Sequence, residues 1–227
     1  MAVTDEAILR IKEMLLSGEL RPGDRLPPEK ELSEKLGLSR NSLREAVKAL
    51  ELIRVLDVRR GDGTYVTSLE PRLLLEAIGF VVDLHADSSV LKLFEVRRIL
   101  EPAAAALATR HAADADLEEL RAMVAAVEEG TSVEELVAHD LEFHGRIGDL
   151  SGNAYLGSIL DSLSSSTQRA RIWRGLTEEN AVARTLAEHA AIVDAMTARD
   201  PELTRSLVTV HIGGVERWLE RAGGAPA

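Results

Sequence analysis

The stretch PEKELSEKLGLSRNSLREAVKALE, residues 28–51, decides the reading of the N-terminal third of the chain. Pro28 and Glu29 suit the first turn of a helix and Gly37 suits its C-cap, and only Leu38 and Ser39 separate it from the next helix. Ser39 is a good N-cap, so Arg40 and Asn41 fall at the N-terminal end of that second helix. There Arg40, Arg44 and Lys48 recur at every fourth position and share one face, while Leu43, Ala46, Val47 and Leu50 supply an apolar face. Two helices joined by a short turn containing Gly form a helix-turn-helix, whose second helix enters a DNA major groove.

Upstream, residues 4–17 read as a helix with Thr4 as its cap and Ile8, Ile11, Leu15 and Leu16 on one side. It stops at Ser17-Gly18, and GELRPGDRLPPE cannot continue it through Pro22, Pro27 and Pro28. Downstream, IRVLDVRRGDGTYVTSL places strand formers on both sides of the turn-forming RRGDGT. This predicts a two-stranded wing with Arg59 and Arg60 near its tip. Taken singly, a cationic helix face or a hairpin is a common surface feature; it is their order that points to DNA.

The chain has 227 residues and a net charge of -11, with 27 Lys and Arg against 38 Asp and Glu. Residues 1–70 hold 12 basic and 13 acidic residues, so nearly all the acidity lies beyond them. An acidic body carrying a balanced module with a local cationic face is compatible with DNA binding, because the field near the contact surface matters more than the total. Cysteine is absent, which excludes disulfides and thiolate ligands and suits a reducing compartment. The first twenty residues mix acids with apolar positions, unlike a secretory signal, and no apolar run reaches the roughly 20 residues of a membrane span. A soluble cytoplasmic protein with no membrane partner is expected.

The run P-G-D-x-L-P, E-x-E-L, S-R-x-x-x-R-E-A and G-x-G-T-x-V across GELRPGDRLPPEKELSEKLGLSRNSLREAVKALE and RRGDGTYV resembles the GntR family of bacterial transcription regulators. The resemblance implies that Lys30, Arg40, Asn41, Ser42 and Arg44 face DNA and that Gly61 and Gly63 let the wing approach the minor groove. The family often has Arg where Lys30 stands, and Thr-Pro or Thr-Thr where this chain has Asn41-Ser42. Lys cannot form the bidentate fork to guanine, so Lys30 fits a phosphate contact; Asn41 fits either adenine or backbone.

From Glu70 onward strand signals disappear, and helices are predicted near 70–84, 89–110, 114–129, 132–150, 153–174, 178–199 and 201–221, with Pro102 inside the second. The expected architecture is mainly α: a winged helix-turn-helix domain over residues 1–69, then an all-α antiparallel bundle of six or seven helices over 70–227. Asp140 and His144 are four apart on one helix face. His189 and His211 each lie 11 residues from Asp200, so an antiparallel hairpin turning there sets them side by side. Any one of these residues is more often a surface or hydrogen-bonded core group than a ligand, and it is the joint placement that suggests a site. One Asp and three His make an N3O set suited to zinc, with nickel or manganese as alternatives. His85, His111 and His139 show no such relation.

FEVRRILEPAAAALATRHA, HDLEFHGRIGDLSGNAYL and HAAIVDAMTARDPELTRSLVTVHI look like the FCD domain of the FadR subfamily. In many members an Asp and three His bind a metal, and those positions fall on Asp140, His144, His189 and His211. The resemblance also implies a carboxylate-bearing metabolite as effector, with Arg97 facing the cavity, although an ion pair with Glu101 explains Arg97 equally well. Asn153 is a candidate effector or outer contact, a helix cap being as simple, and one or two of Ser164 to Gln168 are expected to line the cavity. The expected protein is a metabolite-responsive regulator, in this family most often a repressor, that binds a short palindromic operator as a homodimer. Its effector would act through the junction near residues 68–75. A small metallohydrolase is the competing class, and a regulator with a purely structural metal a third. Against catalysis, there is no HExxH and no base beside the four ligands: Glu142 lies on another helix face and Glu188 is only adjacent to one of them.

Overall fold

The computed structural model describes residues 3–70, 86–127, 131–178 and 180–222. The chain divides into two compact units, Met1–Leu74 and Leu75–Ala227. The helix expected near 70–84 lies outside the described residues.

In the first unit α1 (Val3–Leu16), α2 (Glu29–Leu36) and α3 (Arg40–Leu52) precede strands β1 (Leu56–Arg59) and β2 (Gly63–Val66). Gly37 closes α2 in the left-handed conformation, its N–H reaching back to Glu34, and Ser39 caps α3 by accepting from the Ser42 N–H at 3.1 Å. The core gathers Ile11, Met14, Leu32, Leu43, Leu50, Leu56 and Val66. Leu16, expected on the apolar side of α1, is 77% exposed, because it is the last helical residue and lies beyond the turn that packs on α3.

The strands pair antiparallel with Leu56 opposite Val66 and Arg59 opposite Gly63. Gly61 (φ 79°) and Gly63 (φ 154°) turn the chain at the wing tip. Gly63 also makes room: a Cβ there would meet the Arg25 Nε at 2.5 Å, and Arg25 itself donates to the Asp62 carbonyl. Gly63→Ala is therefore expected to cost about 1–2 kcal/mol through unfavourable φ and displacement of Arg25. Thermal melting would register this loss, and an unchanged melting temperature would show that the wing yields freely.

The second unit, among the described residues, contains α4 (Ala86–His111), α5 (Asp114–Ala125), α6 (Val133–Leu150), α7 (Ala154–Ser166), α8 (Gln168–Thr177), α9 (Ala181–Thr197) and α10 (Pro201–Arg221). Pro102 sits inside α4, which runs on through it. Helix α4 packs along α10 and against α6, and α6–α7 and α9–α10 form neighbouring pairs. At the α6–α7 crossing Gly148 and Gly157 bring backbones together, a Cβ on Gly148 lying 3.3 Å from the Gly157 Cα. Phe94, Phe143, Ile192, Met196, Ile212 and Leu219 centre the core, which sets two of the chain's three phenylalanines among mostly aliphatic side chains.

Several helix boundaries differ from expectation: α4 starts at Ala86 rather than near 89, and α5 ends at Ala125 rather than near 129. Residues 153–174 are not one helix: α7 ends at Ser166 and α8 begins at Gln168, with Thr167 between them at φ -101°. The polar run causes this, since Ser165, Ser166 and Thr167 hydroxyls donate back to the carbonyls of Asp161, Ser162 and Leu163 and weaken the ladder there. Helix α9 starts at Ala181 rather than near 178, after Asn180 takes a left-handed conformation (φ 60°).

Candidate metal centre, cavity and nucleic-acid face

On α3, Arg40, Asn41, Arg44 and Lys48 are exposed and Ser42 is half-buried, while Lys30 is exposed on α2. The buried side of α3 carries Leu43, Ala46 and Leu50, which fixes the helix rotation that turns the cations outward. The cations are not equivalent. Arg44 pairs with Glu29 at 2.8 Å, Lys48 with Glu45 at 2.9 Å, and Arg59 with Asp57 at 2.9 Å. Arg59 also stacks over the Tyr65 ring, 4.3 Å from its centroid. Lys30, Arg40 and Arg60 have no ion pair among the described residues.

In the second unit, Asp140 and His144 come from α6, His189 from α9 and His211 from α10. Asp200 caps α10 by accepting from the Leu203 N–H at 2.9 Å, and Pro201 starts it, so the α9–α10 hairpin turns at the midpoint between the two histidines. Their rings lie 4.9 Å apart, centroid to centroid. All four residues are buried, and one ligand atom from each falls within 4.8 Å of the others. Asp140 Oδ1 is 3.2 Å from His189 Nε2 and 3.5 Å from His144 Nε2.

The donor set fits a divalent cation on three observations. His144 Nδ1 faces Glu101 Oε2 at 2.8 Å, and His211 Nδ1 hydrogen-bonds Glu188 Oε2 at 2.7 Å. A carboxylate on Nδ1 holds the proton on that nitrogen and aims the Nε2 lone pair the other way, which is how metal-bound imidazoles are oriented. The two Nε2 atoms consequently face each other at 3.2 Å, where lone pairs repel unless a proton or a cation lies between them. His189, fully buried, has no partner on Nδ1 among the described residues, and its Nε2 has only the 3.2 Å approach to Asp140 Oδ1, without good hydrogen-bond geometry. His139, not expected in the set, instead contacts the Met123 carbonyl at 2.9 Å.

The electrostatics agree. Burial would raise the Asp140 carboxyl, but Arg171 and His144 outweigh it and hold it well below the usual carboxylate range. Glu101 is likewise driven low against burial, by Arg97 and His144. Burial pushes the His189 imidazole down to about 3, so it is neutral at physiological pH, the form in which an imidazole can ligate a cation. His144 is raised: burial opposes its charge, but Glu101 and Asp140 together overcome that.

Beside the cluster lies a small, partly open cavity of about 30 Å³. Asp140 and His211 reach it from the cluster, Arg97, Arg171, Arg174 and Thr185 add polar groups, and Leu136, Val137, Ile212 and Val215 form apolar walls. Arg97 both lines the cavity and is ion-paired: Nε is 2.5 Å from Glu101 Oε1 and Nη1 donates to Thr167 Oγ1 at 2.9 Å. Arg171 donates to Asp140 Oδ2, to the Ser164 carbonyl and to Thr167 Oγ1. Asn153 is not among the lining residues; it caps α7 by accepting from the Leu156 N–H at 3.1 Å. None of Ser164 to Gln168 lines the cavity either, and Ser164 and Thr167 serve to hold the two arginines. Sequence reasoning missed Arg171 and Arg174. Their spacing of three, about one turn on α8, is a signal in the sequence, but the break at Thr167 decides that this face turns inward.

A winged helix-turn-helix joined to an all-α unit with a buried His/Asp cluster beside a cavity defines a class of DNA-binding regulator rather than an enzyme. The family model "Bacterial regulatory proteins, gntR family" matches residues 3–66, and the FCD domain model matches residues 92–214. The chain is 31% identical to the HTH-type transcriptional regulator LutR of Bacillus subtilis over 91% of this chain and 96% of that one. It is 28% identical to the galactonate operon transcriptional repressor of Escherichia coli, over 96% of each. Among solved structures, a Streptococcus agalactiae GntR protein superposes with a TM-score of 0.76 at 29% identity, over 95% of this chain and 99% of that one. The chain belongs to the GntR family of bacterial transcription regulators and carries an FCD domain. No helix among the described residues is long and apolar enough to cross a membrane.

Proposed function

We propose that the chain is a metabolite-responsive repressor that binds a short palindromic operator as a homodimer and is controlled by a carboxylate effector bound beside a divalent metal. The observation that carries this reading is four buried ligand atoms within 4.8 Å of one another, opening on a cavity that holds three arginines. Asp140, His144, His189 and His211 would hold the ion, with Glu101 and Glu188 orienting two of the imidazoles. Zinc suits an N3O set, with nickel or manganese as alternatives. When bound, the ion supplies a Lewis-acidic position for a carboxylate oxygen.

The chain's own residues do the rest. Lys30, Arg40, Asn41, Ser42, Arg44 and Lys48 offer phosphate and base contacts from the helix-turn-helix, and Arg59, Arg60, Gly61 and Gly63 do so from the wing. Arg97 and Arg171 both bond to Thr167 at the α7–α8 break. An anion in the cavity competes with Thr167 for these guanidinium groups, and loosening of that joint is the first movement by which effector occupancy is felt. The galactonate relative is named for a hydroxy acid, which supports the effector class.

Fluorescence anisotropy with the DNA upstream of the chain's own gene, at fixed salt, tests the reading. A hydroxy acid should weaken binding in metal-loaded protein and have no effect after chelation. DNA affinity indifferent to every hydroxy acid tried would end the sensing proposal while leaving DNA binding intact.

A further inference from the structure

Of the three cavity arginines, two are occupied. Arg97 spends Nε and Nη1 on Glu101 and Thr167, and Arg171 spends both terminal nitrogens on Asp140, Ser164 and Thr167. Arg174 differs. It is 4% exposed, its Nε pairs with Glu178, and its terminal Nη2 is buried with no hydrogen-bond partner among the described residues, whereas the nitrogen left unpartnered on Arg171 is its Nε. A buried guanidinium donor left unmade is costly, and the side chain that carries this one is among those lining the cavity.

Resting on the proposed metal and carboxylate site, we propose that Arg174 reads a second carboxylate, so that the effector is a 2-hydroxy diacid of four or five carbons. Two further observations support this. The charge around the cavity does not balance: with a divalent ion, Arg97, Arg171, Arg174 and Arg184 stand against Asp140, Glu101, Glu178 and Glu188, each joined to this network by an ion pair or a hydrogen bond. Four charges cancel four, and the two positive charges of the ion remain for a dianion to neutralise. Position is consistent with this: Arg171 touches the metal ligand Asp140, and Arg174 follows three residues on along α8 and lines the same cavity. The planar guanidinium edge suits a carboxylate, and Thr185 adds a hydroxyl on the same wall.

Matched acids test the proposal by isothermal titration of zinc-loaded, full-length protein. Malate and 2-hydroxybutyrate differ only in a carboxylate against a methyl group, as do 2-hydroxyglutarate and 2-hydroxyvalerate. A buried charge-assisted contact should favour at least one diacid over its partner by on the order of tenfold or more. Arg174→Met should abolish that preference without weakening the monoacid, and Arg174→Lys, which keeps the charge and is less exposed to folding failure, should restore part of it. Equal affinities within both pairs, or a preference that survives Arg174→Met, overturn the proposal. So does failure of all four acids to bind; zinc content measured in the same samples then tells whether the metal reading falls with it.

Discussion

Replacing His211 with alanine is expected to lower divalent-metal affinity by more than about 100-fold and to remove the response of thermal stability to chelators. Loss of an outer partner of a metal-bound imidazole typically costs about 10–100-fold in affinity, and His211 is placed to be a ligand itself. Its Nε2 faces that of His144 at 3.2 Å and its Nδ1 is held by Glu188. A bound ion at about 100 times its Kd contributes about 2.7 kcal/mol. In a protein of this size each kcal/mol moves Tm by roughly 2–4 °C, so chelation should lower the wild-type Tm by roughly 5–10 °C. His211→Ala should start near that lower value and not move further. Glu188→Gln, which keeps the ligand but weakens its orientation, should fall between. Protons compete for the same lone pairs. Burial disfavours a charged His144, yet Glu101 and Asp140 raise its pKa, so a proton is retained to higher pH than on an ordinary imidazole. Metal affinity should therefore weaken as pH falls, beginning above the usual imidazole range. Wild-type protein that takes up no zinc, nickel or manganese, and whose Tm ignores chelators, would leave the cluster as a protonated hydrogen-bond network.

Arg40→Ala is expected to weaken operator binding by about 1–3 kcal/mol, while Lys48→Ala should cost less. The two stand on the same face of α3, so the sequence alone treats them alike. The structure separates them. Arg40 lies at the helix N-terminal end without an ion pair among the described residues, whereas Lys48 is engaged by Glu45 and Arg44 by Glu29. A paired cation must give up its carboxylate to reach a phosphate, and the net gain is smaller. For the same reason Glu29→Gln, which frees Arg44, should tighten binding and steepen its salt dependence. Binding measured from low to moderate salt distinguishes the roles: loss of a phosphate contact lowers the salt slope by about one, and loss of a base contact also relaxes sequence preference. Equal losses at all three cations would mean that the pairs exert no hold in solution.

Much of this protein was legible locally. Gly37 and Ser39 bound α2 and α3 because capping depends on a few neighbouring atoms. The apolar and cationic faces of α3 follow from a period of 3.6 residues, and the wing follows from its turn residues. The four clustered side chains were legible for a related reason. Asp140 and His144 are one turn apart, and His189 and His211 are equidistant from a turn marked by Asp200 and Pro201. Such symmetry survives uncertainty in helix ends.

What only the tertiary structure decided are relations among helices with no fixed sequence spacing. Glu101 meets His144 and Glu188 meets His211 because packing around Phe94, Phe143 and Ile212 sets how α4, α6, α9 and α10 are rotated. The break at Thr167, and with it the inward turn of Arg171 and Arg174, depends on hydroxyls competing for carbonyls and on two buried guanidinium groups seeking acceptors. Local pattern specifies which face of a helix is buried; which charged groups then meet is decided by close packing between helices, where small changes in rotation exchange one partner for another.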